Sequence, residues 1–320
     1  MTVRYILCGL FCLFFAGLIS PFVLMLCKKL KASQSILSYV DKHKAKNGTP
    51  TMGGIIFFLT ILFCGFFLTK NDIFLGWFVI LVSLSYGVLG FLDDFIKVKL
   101  HHNEGLKPYQ KIIGQVGIAI VVSLYLYFTN RTSLTLFSVT FDIGFWIIPL
   151  SIFVLVATTN SVNLTDGLDG LAGGVSFVYI LFFGLIVAMY ANAGLQNISI
   201  LCFGLCGGLL AFLAINVFPA KIFMGDTGSL FLGGFIAVTA LSSGLVLLLP
   251  IMGIMFVLST VSDIIQVLHF KRTRKRVFLM APLHHHFEQK GVNENRIVAV
   301  YIIVTITVCL SVLLGVAIVL

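Results

Sequence analysis

The chain has 320 residues, 59% of them hydrophobic and only 10% charged, where soluble domains carry about a quarter. That balance excludes a soluble globular protein, so the net charge of +9 does not point to nucleic acid. The positive excess fits membrane topology instead, together with attraction for anionic lipid and phosphorylated substrates.

Apolar runs of near-spanning length predict about ten helices, at 5–27, 53–69, 73–92, 112–129, 144–160, 171–191, 198–218, 230–249, 250–268 and 297–319. The eighth and ninth form one long apolar stretch that divides near Ser242-Ser243-Gly244 and Pro250. The expected fold is all-α and integral to the membrane, a polytopic bundle forming one unit over 1–320. The N-terminal run, closed by Lys28-Lys29 without a small-residue cleavage site, reads as a retained span. The loops 28–52, 93–111, 160–170, 216–229 and 269–296 hold 18 of the 21 Lys and Arg. By the positive-inside rule they are cytoplasmic, and an even number of spans then puts both termini outside. Ten of the twelve Asp and Glu and all seven His lie on that same side, so chemistry is expected at the cytoplasmic face. The seven cysteines all sit in apolar spans and read as small buried hydrophobes.

Four cytoplasmic stretches are dense in polar groups and glycine. The first, GVLGFLDDFIKVKL (87–100), closes an apolar run on Asp93 and Asp94, where a helix C-terminus disfavours acids. Acids at membrane depth are costly and usually functional. If the helix continues, Asp93 and Lys97 share a face. The second, NSVNLTDGLDGLAGG (160–174), spaces Asn160 from Asn163 and Asp166 from Asp169 by three, so each pair can share a helix face. A capped turn needs one such residue, not four.

In the third, Gly225-Asp226-Thr227-Gly228-Ser229 opens a helix. The free N–H groups there can bind an anion, and Asp226 could hold Mg²⁺ against a phosphate; the plain alternative is an N-cap. The fourth, APLHHHFEQKG (281–291), is a poor zinc site because adjacent side chains point apart; it could also be a solvated loop. Carboxylates for a divalent cation, a helix N-terminus for phosphate and Lys/His for anions together suggest phosphate chemistry at the membrane boundary. A P-loop and a nucleophile elbow are both absent.

The stretches NGTPTMGG (47–54), DDFIK (93–97), NLTDGLDGLAGG (163–174), FMGDTGS (223–229) and PLHHHFE (282–288) resemble the signatures of the phospho-N-acetylmuramoyl-pentapeptide-transferase family, within the polyprenyl-phosphate N-acetylhexosamine-1-phosphate transferases. The resemblance spans the whole chain. It implies transfer of the phosphosugar of UDP-N-acetylmuramoyl-pentapeptide to undecaprenyl phosphate, with Mg²⁺ as cofactor, UMP released and lipid I formed. That places the protein in the bacterial inner membrane, with the bilayer as a partner, and admits a homodimer. By motif, Asp93 and Asp94 would act at the lipid phosphate and Asp226 would bind the metal. Asn163, Asp166 and Asp169 would line the nucleotide and diphosphate site. Lys46, Thr51, Lys97 and Lys111 would contact phosphates, and His284, His285 and His286 would support the substrate, His285 as a catalytic group. One departure is that KLHHNEGLKPYQK (99–111) is poorer in basic residues before Gly105 than the family pattern. The alternatives are a sister transferase using UDP-N-acetylglucosamine and an ion-coupled transporter. The latter expects polar groups near the bilayer midplane rather than at one face.

Overall fold

A computed structural model of the chain describes residues 2–30, 48–100, 105–190 and 193–320, so Lys46 lies outside the described residues. The chain is an all-α membrane protein. Its helices are α1 (Thr2–Lys29), α2 (Ile55–Cys64, continued by a tight turn over Gly65–Phe67), α3 (Ile73–Leu100), α4 (Pro108–Phe128), α5 (Ile147–Thr165), α6 (Leu171–Met189) and α7 (Gln196–Asn216). They continue with α8 (Gly225–Ser242), α9 (Leu249–Met252), α10 (Ile254–Thr273), α11 (Leu283–Gln289) and α12 (Glu294–Val319). Among the described residues, eight helices are long and apolar enough to cross a membrane. The expected spans at 53–69 and 230–249 are the shorter helices α2 and α8. The long apolar stretch does break after Ser242, and it breaks again around the one-turn α9, which carries Pro250 in its first turn.

Two departures bear on the site. The first is that α3 does not end at its two acids. It runs on to Leu100, so Asp93 and Asp94 are fully buried inside the helix rather than at its terminus. The second is a hairpin between α4 and α5, where no strand was expected. β1 (Ser133–Leu136) pairs antiparallel with β2 (Val139–Asp142), in the register Ser133 to Asp142 and Leu136 to Val139. The stretch is rich in Thr, Val and Phe, which favour strands, and Phe137 turns the chain with φ 54°.

The centre of the bundle is α8, buried continuously from Thr227 to Ser242 and packed between α3 and α5. Small residues permit this. A Cβ on Gly233 would lie 2.5 Å from the Thr159 Cα, and one on Gly90 would lie 2.0 Å from the Asp226 carbonyl oxygen. In hydrocarbon, helices gain no hydrophobic drive toward each other, so such close backbone packing is what holds them. The extended segment at 50–54 pairs with 223–224: Phe223 N–H donates to Pro50 O (2.8 Å), and Gly53 N–H to Phe223 O (2.9 Å). Two of the quoted motifs are thereby laid side by side. At the other end, Arg131 pairs with Asp72, and Asn197 Nδ2 donates to the carbonyls of Asn71 (2.8 Å) and Asp72 (3.1 Å).

Gly90→Ala should therefore force α3 away from α8, at a cost typical of overpacking, about 1–3 kcal/mol. Thermal unfolding in detergent should show a lowered midpoint. Gly117→Ala, which meets open space, should leave the midpoint unchanged.

Candidate active site

The site is assembled where α3, α4, α5 and α8 meet. Asp94 projects from α3 onto the start of α8, which has no side-chain cap of its own. Its Oδ1 accepts from Asp226 N–H (3.2 Å), and its Oδ2 from Thr227 N–H (2.9 Å) and Thr227 Oγ1 (2.7 Å). A carboxylate at a helix N-terminus satisfies orphan amides and complements the helix dipole. The approach needs Gly225, whose φ is +71° and where a Cβ would lie 2.4 Å from Asp94 Oδ2. Thr51, fully buried, packs against the same glycine, so it supports the first turn of α8 from behind.

Asp93, one position earlier, faces α4 and the segment before it. Leu106 N–H donates to its Oδ1 (2.9 Å), Lys97 Nζ lies 2.6 Å from Oδ2 and Lys111 Nζ 3.4 Å from Oδ1. Asp226 completes the group. Its Oδ2 accepts from Lys111 Nζ (2.6 Å) and Lys97 Nζ (3.2 Å), and its Oδ1 from Asn163 Nδ2 (2.7 Å). Asn163 also donates to Ser229 Oγ (2.8 Å). Oxygens of Asp93, Asp94 and Asp226 all come within 4.8 Å of one another. Three carboxylates against two ammonium groups leave one negative charge. Hard oxygen donors at this spacing suit a hard divalent cation such as Mg²⁺, and Asp226, with 15% of its side chain exposed, is the most accessible of them.

Beneath the charges, one turn further along α4 and α5, the polar contacts become neutral. Asn160 Nδ2 donates to Gln115 Oε1 (2.6 Å), and Tyr86 OH to the Gln115 carbonyl (3.1 Å).

The Asp-rich turn divides. Asn160 and Asn163 share a face of α5 as their spacing suggests, but the helix ends at Thr165. Asp166 and Asp169 therefore do not share a helix face. Asp169 turns away from the carboxylates, its Oδ2 accepting from Ala220 N–H (2.9 Å) while its own N–H donates to Glu294 Oε1 on α12 (2.7 Å). It braces the turn instead of lining the cluster. Asp166 stays near the cluster. Burial pushes its carboxyl well above the usual range, and the charges of Asp226, Asp94 and Asp169 push the same way.

The three histidines lie on α11. The rings of His284 and His285 stand together, with centroids 4.4 Å apart and both Nε2 atoms toward Gly167, and only His286 points away, against the expectation that neighbours would diverge. His284 is fully buried, and a Cβ on Gly167 would lie 2.3 Å from its Nε2. Burial drives its imidazole down to about 3; His285 adds to the fall and Glu288 opposes it. His285 Nδ1 lies 2.9 Å from Glu288 Oε2, and a Cβ on Gly167 would lie 2.9 Å from its Nε2. His286 Nδ1 accepts from Leu279 N–H (3.1 Å), which directs it to the preceding loop. The sequence reading overlooked Thr227, Ser229, Gln115, Glu288 and Glu294. Thr227, Ser229 and Glu288 stood inside quoted motifs; Gln115 carried no local signal.

The carboxylates and lysines that converge here lie in a stretch matched by a known family. A model described as glycosyl transferase family 4 matches residues 76–244, and a phospho-N-acetylmuramoyl-pentapeptide-transferase signature matches 46–58. A phospho-N-acetylmuramoyl-pentapeptide-transferase of Clostridioides difficile (strain 630) is 42% identical over 297 residues, 90% of each chain. One from Thermoanaerobacter sp. (strain X514) is 45% identical over 291 residues, 89% of this chain and 90% of its own. The chain belongs to the phospho-N-acetylmuramoyl-pentapeptide-transferase family. The range matched by the glycosyl transferase family 4 model contains the positions of Asp93, Asp94, Lys97, Lys111, Asn163 and Asp226.

Two outcomes follow from the geometry. Asp94→Asn leaves one oxygen where three donors converge, and should cost about 1–3 kcal/mol, seen as a lower thermal midpoint. An unchanged midpoint would mean that α8 does not depend on this cap. For His284, the imidazole ordinarily titrates near 6.5, so between 6.5 and about 3 the unfolded chain binds a proton that the folded chain refuses. Its contribution to stability is full above pH 6.5 and declines as pH falls toward 3. The midpoint should drop on acidification, and His284→Gln should flatten that slope.

Proposed function

We propose that this chain transfers phospho-N-acetylmuramoyl-pentapeptide from UDP-N-acetylmuramoyl-pentapeptide to undecaprenyl phosphate, releasing UMP and forming lipid I. The observation that carries this reading is the meeting of Asp93, Asp94 and Asp226 with Lys97 and Lys111 at one end of an apolar bundle. A water-soluble diphosphate and a membrane-bound phosphate can both reach such a place. The excess of Lys and Arg in the loops on this side supports a cytoplasmic active site, in the bacterial inner membrane.

Asp226 would hold Mg²⁺, with Asn163 fixing the orientation of its carboxylate. The ion would supply charge neutralisation on the diphosphate. Lys97 and Lys111 bridge Asp93 and Asp226, and are placed to pass from carboxylate to phosphate when substrates enter. Asp94 is committed to the amides of α8, which argues against its acting as a nucleophile. Asp93 is held by Leu106 N–H and two lysines, an arrangement that favours orienting the acceptor over attacking a like-charged diphosphate. A lipid phosphate is already mostly ionised near neutral pH, with a second pKa of about 6, and so needs positioning more than activation. Glu288 holds His285 by its Nδ1, which fixes the orientation of the imidazole beside the Gly167 turn.

The test is UMP release by purified enzyme. Release should require both the UDP-sugar and undecaprenyl phosphate, cease with EDTA and return with Mg²⁺. Asp226→Asn should lower turnover by about two decades or more while the protein remains folded. Consumption of UDP-N-acetylglucosamine in place of the muramoyl substrate would transfer the chain to the sister activity. UMP formed without lipid would replace direct attack with a covalent intermediate.

A further inference from the structure

A second group of metal-ligating side chains lies at the far end of α2 from the carboxylates. Cys8 and Cys12 stand one turn apart on α1, and Cys64 closes α2; all three are fully buried. Their sulfurs lie within 4.8 Å of one another, and Cys8 Sγ is 3.4 Å from Cys64 Sγ. Close helix packing creates this convergence. A Cβ on Gly207 would lie 2.3 Å from the Gly9 carbonyl oxygen, and one on Gly204 would lie 2.2 Å from Cys64 Sγ. Glycines of α7 thus let α1 and α2 close on it, and the three thiols fill the seam.

Ordinary hydrogen bonding does little to explain the grouping. The Ile200 carbonyl accepts long contacts from both Cys8 Sγ (3.7 Å) and Cys64 Sγ (3.5 Å), so two weak donors share one acceptor. Arg4 precedes Cys8 by one turn on the same face of α1, and its Nη2 donates to Phe67 O at 2.7 Å, just past the end of α2. It brings a positive charge to the place where thiolates would be negative.

We propose that Cys8, Cys12 and Cys64 form a binding site for a soft, thiolate-seeking metal ion of the copper(I) class, separate from the carboxylate cluster. Sulfur ligands select copper(I) and reject hard cations such as Mg²⁺. Copper(I) accepts three sulfurs, whereas a structural zinc site closes with four ligands. Thiolates about 2.3 Å from a metal stand roughly 4 Å apart, close to the spacing already present. No electron is transferred. The ion stays copper(I), a metal–sulfur bond forms at each ligating cysteine and each such thiol gives its proton to water, so binding weakens as pH falls.

The experiment uses the full chain, purified in detergent under argon and given copper(I) in the presence of a copper(I) chelator. The parent should retain one copper ion per chain, unaffected by excess Mg²⁺, and the copper absorption edge should report sulfur neighbours. The Cys8→Ser/Cys12→Ser/Cys64→Ser variant should retain none, while replacing Cys27, Cys202, Cys206 and Cys309 by Ser should change nothing. The single Cys→Ala variants, with midpoints near the parent's, should each bind about tenfold more weakly or worse. Any of four results would overturn the site: no copper held by the parent, nitrogen or oxygen neighbours at the edge, equal retention in the triple variant, or a Cys8–Cys64 disulfide in freshly purified protein.

Discussion

The first turn of α8 rests on a carboxylate that another helix supplies. Asp94 receives the Asp226 and Thr227 amides, and through them α3 and α8 are locked in register. The rest of the site follows from that lock. With the start of α8 fixed, Asp226 is presented to Lys97, Lys111 and Asn163, and Ser229 stands one turn on to take the second hydrogen of Asn163. Gly90 and Gly225 matter because a side chain at either position would occupy the space in which the carboxylate meets the helix. A residue that reads from its motif as catalytic thus carries much of the architecture as well.

The charge balance explains how three acids persist where water is scarce. An isolated buried carboxylate is expensive, but one that accepts several hydrogen bonds and faces a lysine is not. Asp93 and Asp226 share the same two ammonium groups, while Asp94 relies mainly on amides and the Thr227 hydroxyl. Lys97 and Lys111 are consequently held between carboxylates at rest, and incoming phosphate would compete for them with groups already in place.

Much of the bundle was legible because lipid demands long apolar runs, and the break after Ser242 was visible in the run of small polar residues that ends at Gly244. The cluster was legible as a set of motifs. Its wiring was not, since the partners of Asp94 lie 132 and 133 residues away and leave no local trace. For the same reason α3 was read as ending at its acids: the compensating groups come from α4 and α8. The shared face expected of Asp166 and Asp169 failed for another reason. A spacing of three implies a shared face only while the helix lasts, and Gly170, at φ 75°, belongs to the turn that ends it. Adjacent histidines were expected to diverge, yet His284 and His285 both turn toward Gly167 in a distant segment, and only His286 departs. The hairpin at 133–142 was missed because the stretch is short and carries no Asn-Gly or Asp-Gly turn between its strands.

The pair formed by Gln115 and Asn160 has a consequence for the charged cluster. Below the carboxylates, the polar column passes to two side-chain amides joined to each other, with Tyr86 OH donating to the backbone carbonyl of Gln115. Amides neither gain nor lose protons at physiological pH, so this pair cannot relay a proton onward from the charged cluster. An ion held at the carboxylates therefore finds neutral groups, and no countercharge, at the next turn of α4 and α5.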